Sequence, residues 1–252
     1  MTTDTQAAGD FYASRQGKLA AHLVRQRLQR LWPGVTGQAV LGLGFPAPYL
    51  RLWREPAARC IALTPARFGP ARWPPRTPGP TAASLGCTSE EDALPFPDLC
   101  FDRILLIHGL EAADNARRLL REVWRVLKDD GRLIVVAPNR RGLWAHVEST
   151  PFGQGQPYSP GQIGRLLASA MFHVEHRDTA LYMPPLRLPL IFRTAKVVER
   201  IGRRLLPQLA GVTVTEAAKD LYAAIPAEAL PARRLMPAEA AMRPTSRVPT
   251  PA

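Results

Sequence analysis

A chain of 252 residues, 46% hydrophobic and 21% charged, has apolar material for one substantial core and a small appendage. Its net charge of +12 comes mainly from arginine, since Lys18, Lys128, Lys196 and Lys219 are all the lysines; this favours nucleic acid, an acidic membrane or phosphorylated compounds as partners, unless the arginines are scattered by composition alone with no partner. Cys60, Cys87 and Cys100 show no CxxC spacing, which argues against a disulfide framework or zinc site and for a reducing compartment.

The opening MTTDTQAAGD lacks the basic-then-apolar pattern of a signal peptide. No run approaches the roughly 20 apolar residues of a bilayer span, so a cytoplasmic protein is expected. Residues 1–10 read as disordered, and a folded domain is expected over 11–224. From Phe11 to Trp32, Leu19, Leu23, Val24, Leu28 and Leu31 recur at helical spacing until Trp32-Pro33-Gly34 stops them. Four apolar runs bounded by turn residues then read as strands: Ala39–Leu43, Cys60–Leu63, Arg103–His108 and Arg132–Ala137. Between the first two and the last two, Thr64 to Pro80 carries too many prolines for a crossover helix and admits a single turn.

The segment NARRLLREVWRVLKDDG places Leu119, Leu120, Val123, Trp124 and Leu127 on one helical face, with Gly131 as a stop. A loop follows Ala137, then a short helix (IGRLLASAMF) and a strand within FHVEHRDTALYM. His173 and His176 in that strand fall on opposite faces, so no metal pair is expected. Residues 188–207 form a basic amphipathic helix carrying Arg193, Lys196, Arg200, Arg203 and Arg204. It suits docking on the sheet, covering a site, or lying on an anionic membrane. GVTVTEAAKDLYA supplies a final strand, and the Pro-, Ala- and Arg-rich stretch 225–252 reads as a disordered tail. Strands alternating with helices predict an α/β fold with a mostly parallel, Rossmann-like sheet and helices on both faces.

Leu94-Pro95-Phe96-Pro97-Asp98, Phe101-Asp102, His108, Leu110-Glu111, Arg121-Glu122, Arg125-Val126-Leu127 and Gly131 occur in an order and spacing that resembles class I S-adenosylmethionine-dependent methyltransferases of the type 11 group. The resemblance implies a seven-stranded sheet with its last strand antiparallel, and S-adenosylmethionine at the carboxyl ends of the first strands. It places the cofactor loop at AVLGLGFPAP, with Gly42 at an ordinarily acidic position, Gly44 and Phe45 in the loop, and Pro46 and Pro48 where further glycines are usual. Thr64 stands where a ribose-binding acid is usual, and Glu90, with Glu91 and Asp92 beside it, falls near the adenine. Tyr12, Arg15 and Gly17 precede the first helix, where relatives fold over the cofactor.

The resemblance also implies a catalytic or orienting role for His108, at the end of the fourth strand. Asn139, Arg140 and Arg141, after the fifth strand, and Trp144 in the following loop are the expected acceptor-binding residues, the arginines suiting a carboxylate or phosphate. The expected activity is methyl transfer to a small or lipid-like acceptor by direct displacement at the sulfonium methyl. Two other readings stay open. Gly42, Pro46, Pro48 and Thr64 also suit a catalytically silent scaffold, and charge alone admits an RNA-associated protein.

Overall fold

The apolar runs of the central strands are buried on both sides, with successive residues facing opposite ways. In the computed structural model, which describes residues 4–69, 73–74, 84–186 and 189–221, Val40, Leu105, Ile107, Ile134, Val136 and Val214 face one half of the core. Their neighbours Leu41, Leu43, Ile104, Leu106, Leu133 and Val135 face the other.

The strands are β1 (Ala39–Gly44), β2 (Arg59–Pro65), β3 (Gly86–Ser89), β4 (Phe101–Ile107), β5 (Leu127–Pro138), β6 (Phe172–Ala180) and β7 (Val212–Lys219). They form one seven-stranded sheet in the order β3-β2-β1-β4-β5-β7-β6. The pairs from β3 through β5 are parallel, and β7 runs antiparallel to both β5 and β6. This is the expected Rossmann-like α/β sheet with its last strand reversed. The expectations missed β3, whose GCTS sequence has no apolar run to mark it.

The helices are α1 (Asp4–Ala13), α2 (Arg15–Leu31), α3 (Ala47–Leu50), α4 (Ala116–Val126), α5 (Pro160–Ser169) and α6 (Pro189–Leu205). Asn115 caps α4 by accepting from Arg118 N, and Ser159 and Gln162 form a reciprocal capping box on α5. The expected disorder over 1–10 is corrected by α1, which begins at Asp4 and buries Ala8, Phe11 and Tyr12. The single helix expected over 11–32 is broken at Ser14, whose side chain caps α2 by accepting from Gly17 N. After β2 a single 3-10 turn spans Ala66–Phe68. The elements up to Leu221 form one unit; the expected tail at 225–252 lies outside the described residues.

The seam that carries the sequence resemblance is an arginine hub. Arg125, near the end of α4, donates to Phe96 O at 2.8 Å, Asp98 Oδ1 at 2.7 Å and Leu94 O at 3.0 Å. The same guanidinium grips both carboxylate oxygens of Glu122, at 3.0 and 2.7 Å. Glu122 in turn accepts from Leu94 N at 3.0 Å. The LPFPD loop is thereby pinned to α4, which fixes where β4 begins.

Candidate functional site

Parallel strands present their carboxyl ends on one edge of the sheet, where loops from neighbouring strands converge. Gly44 ends β1 with φ +93°, a conformation disfavoured for residues with a Cβ. A Cβ there would strike the Ile107 carbonyl, so the β1 exit lies directly against the β4 exit, and Phe45 N donates to Ile107 O at 2.9 Å. The next residue of β4's exit, His108, also has positive φ, at +55°; a non-glycine residue in this region is a common mark of a functional site.

His108 is buried and both ring nitrogens are engaged. Nδ1 lies 3.1 Å from Glu111 Oε1 and Nε2 lies 2.6 Å from the Tyr12 hydroxyl, which is 2.7 Å from the Tyr49 hydroxyl. An ionised Glu111 only accepts. With the His108 ring neutral, the chain then runs one way: Tyr49 donates to Tyr12, Tyr12 to His108 Nε2, and His108 Nδ1 to Glu111. Burial pushes both phenols up, so both keep the protons this chain requires. Tyr12 stacks on Phe45 with ring centroids 5.7 Å apart, and Phe152 packs on His108 at 4.7 Å.

Beside this chain lies a cavity of about 220 Å³ lined by residues that include Phe45, Arg67, Phe68, His108, Glu111 and Gln154. Glu111 is 3% exposed, and its second carboxylate oxygen, Oε2, is buried without a hydrogen-bond partner. A second cavity of about 260 Å³ is lined by Glu90, Glu91, Asp92, Asp114 and Arg118, among others. Arg67 borders both cavities and pairs with Glu91 at 2.7 Å and Asp114 at 3.2 Å.

The expected site residues separate into groups. Phe45 and His108 line the first cavity, with Gly44 immediately before Phe45, and Glu90, Glu91 and Asp92 line the second. Gly42 faces away from both: a Cβ there would lie 2.5 Å from the Pro46 ring and 2.8 Å from Leu50. The Pro46 ring thus fills the space into which a side chain at position 42 would project, so the two positions form one packing solution. Thr64 is buried and lines neither cavity. Asn139 and Trp144 are buried staples: Asn139 Nδ2 donates to Gln208 O and Ala210 O, and Trp144 Nε1 to Met183 O. Arg140 and Arg141 are exposed, and Arg141 bonds Gln208 Oε1 at 2.8 Å. The part of this loop that reaches the cavity is Pro151, Gln154 and Gly155.

Arg67 and the cavity-facing role of Glu111 were missed. Arg67 sits in a proline-rich stretch without periodicity, and Glu111 carried only a motif letter. Elsewhere, Glu175, His176 and Glu216 bring ligand atoms within 4.8 Å of one another, helped by an irregularity in β6. Those groups are already satisfied by Arg132, by Trp32 and by one another.

This sheet order, with ligand-sized space over the ends of β1, β2 and β4, defines a class I S-adenosylmethionine-dependent methyltransferase fold. Solved structures bear this out. An S-adenosylmethionine-dependent methyltransferase from Thermotoga maritima superposes with TM-score 0.55 at 16% identity, covering 84% of this chain and 94% of that one. One from Mesorhizobium loti gives TM-score 0.55 at 16% identity, covering 77% and 96%. More narrowly, residues 42–135, just over a third of the chain, match the model of the methyltransferase domain of the type 11 group. S-adenosylmethionine is the cofactor of that domain. A curated relative, the ubiquinone/menaquinone biosynthesis C-methyltransferase UbiE of Enterobacter sp. (strain 638), is 47% identical over 45 residues, which is 18% of each chain.

The residues present fit a cofactor carrying a sulfonium and an ammonium. The first cavity combines the aromatic residues Phe45 and Phe68 with the carboxylate of Glu111, the chemistry that receives organic cations.

Proposed function

We propose that the protein transfers a methyl group from S-adenosylmethionine to a small or lipid-like acceptor. The observation that carries this reading is Glu111, a buried carboxylate that lines a cavity at the carboxyl ends of β1 and β4 and whose Oε2 has no hydrogen-bond partner. The cofactor supplies an electrophilic methyl on a positively charged sulfur; the chain supplies alignment and charge complement.

Glu111 accepts from the ammonium and lowers the potential around the sulfonium. His108, held by Tyr12 and bonded to Glu111 Oε1, fixes the Glu111 rotamer. Because both its nitrogens are engaged, His108 acts as a positioning residue rather than as the base that takes an acceptor's proton. Gly44 keeps the β1 exit thin, and Glu90 is placed to accept from an adenine amino group at the second cavity. A ligand reaching from Glu111 to Glu90 passes Arg67, which then shares its pairing with Glu91 and Asp114 with that ligand. Gln154 and the Pro151–Gly155 turn border the acceptor side.

Calorimetric titration with S-adenosylmethionine and with its demethylated product tests this reading. Both should bind, and Glu111→Gln should weaken binding by roughly 5- to 150-fold, as expected for loss of one charged hydrogen bond from a buried site. A folded, monodisperse parent that gives no binding signal at millimolar cofactor would establish a silent scaffold instead.

A further inference from the structure

The segment between β6 and β7 leaves the sheet at the same end as the cavity, since Ala180 of β6 and Pro138 of β5 both register against Val212. The staples from Asn139, Arg141 and Trp144 tie it to the loop after β5. One face of α6 turns inward. Ala195 and Glu199 are buried there and Val198 is half-buried. Glu199 accepts from Leu181 N and Tyr182 N, each at 2.9 Å.

The other face lies open among the described residues. Val197, Ile201 and Leu205, four residues apart, are 54%, 52% and 68% exposed, and Leu206 and Leu209 just beyond are 55% and 51% exposed. Arg200 and Arg204 are exposed along the flank of that row. Glu199 is the single acid in α6 and is buried, so the outer face is aliphatic and cationic with no carboxylate.

We propose that this face docks on an anionic lipid bilayer. The helix lies in the interfacial plane, the five aliphatic side chains enter the acyl boundary, and Arg200 and Arg204 meet lipid phosphates. Charge complementarity selects this occupant: the face carries one sign of charge, and the whole chain has a net charge of +12. Single-stranded RNA would call for stacking aromatics beside the arginines, and this row has none. Among the described residues no helix is long and apolar enough to cross a membrane, so α6 lies on the surface. The inference stands apart from methyl transfer, although docking at this end would bring a lipid-like acceptor beside the loop that reaches the cavity.

Co-sedimentation of the full chain with vesicles tests the proposal. The chain should sediment with phosphatidylcholine–phosphatidylglycerol vesicles, remain in solution with phosphatidylcholine alone, and bind less as salt is raised. The double variant Ile201→Asp/Leu205→Asp should lower partitioning by at least about tenfold, and Arg200→Gln/Arg204→Gln by roughly 30-fold. Both should keep the parent's circular dichroism and melting temperature, because these side chains are exposed. A parent that stays in solution with anionic vesicles at low salt, or an aspartate variant that sediments like the parent, would overturn the proposal. So would unchanged vesicle binding with loss of self-association in the aspartate variant, which would make the face a contact between copies of this chain.

Discussion

Two regions of the chain fall within the same methyltransferase-domain match but are built on different physics. Around Arg125 the motif is intact, and its letters are structural: a guanidinium gathers the Leu94–Asp98 loop onto α4 through backbone carbonyls and two carboxylates. At Gly42–Pro48 the motif is altered, and the altered letters compensate one another, with the Pro46 ring standing where a Gly42 side chain would project. A hub that satisfies many backbone groups at once tolerates no isolated change. A ligand loop can be rebuilt if volume and backbone path are conserved together. Strong motif similarity therefore marks the scaffold here, and the altered stretch lies beside the proposed cofactor site.

The largest effect should come from the hub. Arg125→Ala leaves the Leu94 and Phe96 carbonyls and the Glu122 carboxylate without their donor, and should cost about 2–4 kcal/mol in urea denaturation. Arg125→Lys should recover only part of this, because one ammonium cannot span the fork. A loss below about 0.5 kcal/mol for the alanine variant would mean that the seam is held by apolar packing instead.

Next is the compensated pair. Gly42→Asp alone should destabilise by about 1–3 kcal/mol through overlap with Pro46 and Leu50, whereas Gly42→Asp/Pro46→Gly should regain much of that stability. Additive costs in this double-mutant cycle would show that the two positions are independent.

A smaller effect separates charge from shape at the hub. The Arg125 fork holds the Glu122 carboxyl below the usual carboxylate range, helped by Leu94 N. A depressed folded pKa contributes stability above the unfolded value, about 4.3 for glutamate, and that stability is lost as pH falls through the folded value. Glu122→Gln should therefore be about 1–2 kcal/mol less stable than the parent at neutral pH, with the gap closing below about pH 4. A gap that persists at lower pH would mean that hydrogen-bond geometry, not ionisation, is what counts.

The smallest effect is expected at Thr64. Its side chain lines neither cavity, so Thr64→Asp should tighten cofactor binding by no more than about threefold in calorimetry. A gain beyond about tenfold would place the ribose against β2 and restore the usual role of that position.

Much of the fold was legible in the residues. Continuous Leu, Ile and Val runs over β1, β4 and β5, separated by a helical face from Leu119 to Leu127, dictate a parallel sheet because only strands covered on both sides bury such runs. The ordered motif from Leu94 to Gly131 supplied the resemblance to methyltransferases of the type 11 group. Legibility ended where structure depends on distant partners. α1 has weak amphipathic character, and its order comes from Phe11 and Tyr12 packing with Phe45, Tyr49, Trp144 and Phe152. β3 is four residues long and exists through its pairing with β2.

The candidate site shows the same division. The sequence by itself determined that Gly44 and His108 sit at strand exits, because the ends of strongly apolar strands are local properties of the chain; that Glu90 follows a strand came only with β3. Only the tertiary structure decided that His108 has both nitrogens engaged, that Glu111 lines the cavity and keeps one buried oxygen unpartnered, and that Arg67 borders both cavities. It also decided that Asn139 and Trp144 act as staples for the segment carrying α6. Periodicity assigns a residue to a face, but which groups meet across that face depends on loops whose paths are fixed by packing far away in sequence. Hydrogen-bond satisfaction is a property of the whole arrangement, so the site's chemistry emerges only when every nearby donor and acceptor has been placed.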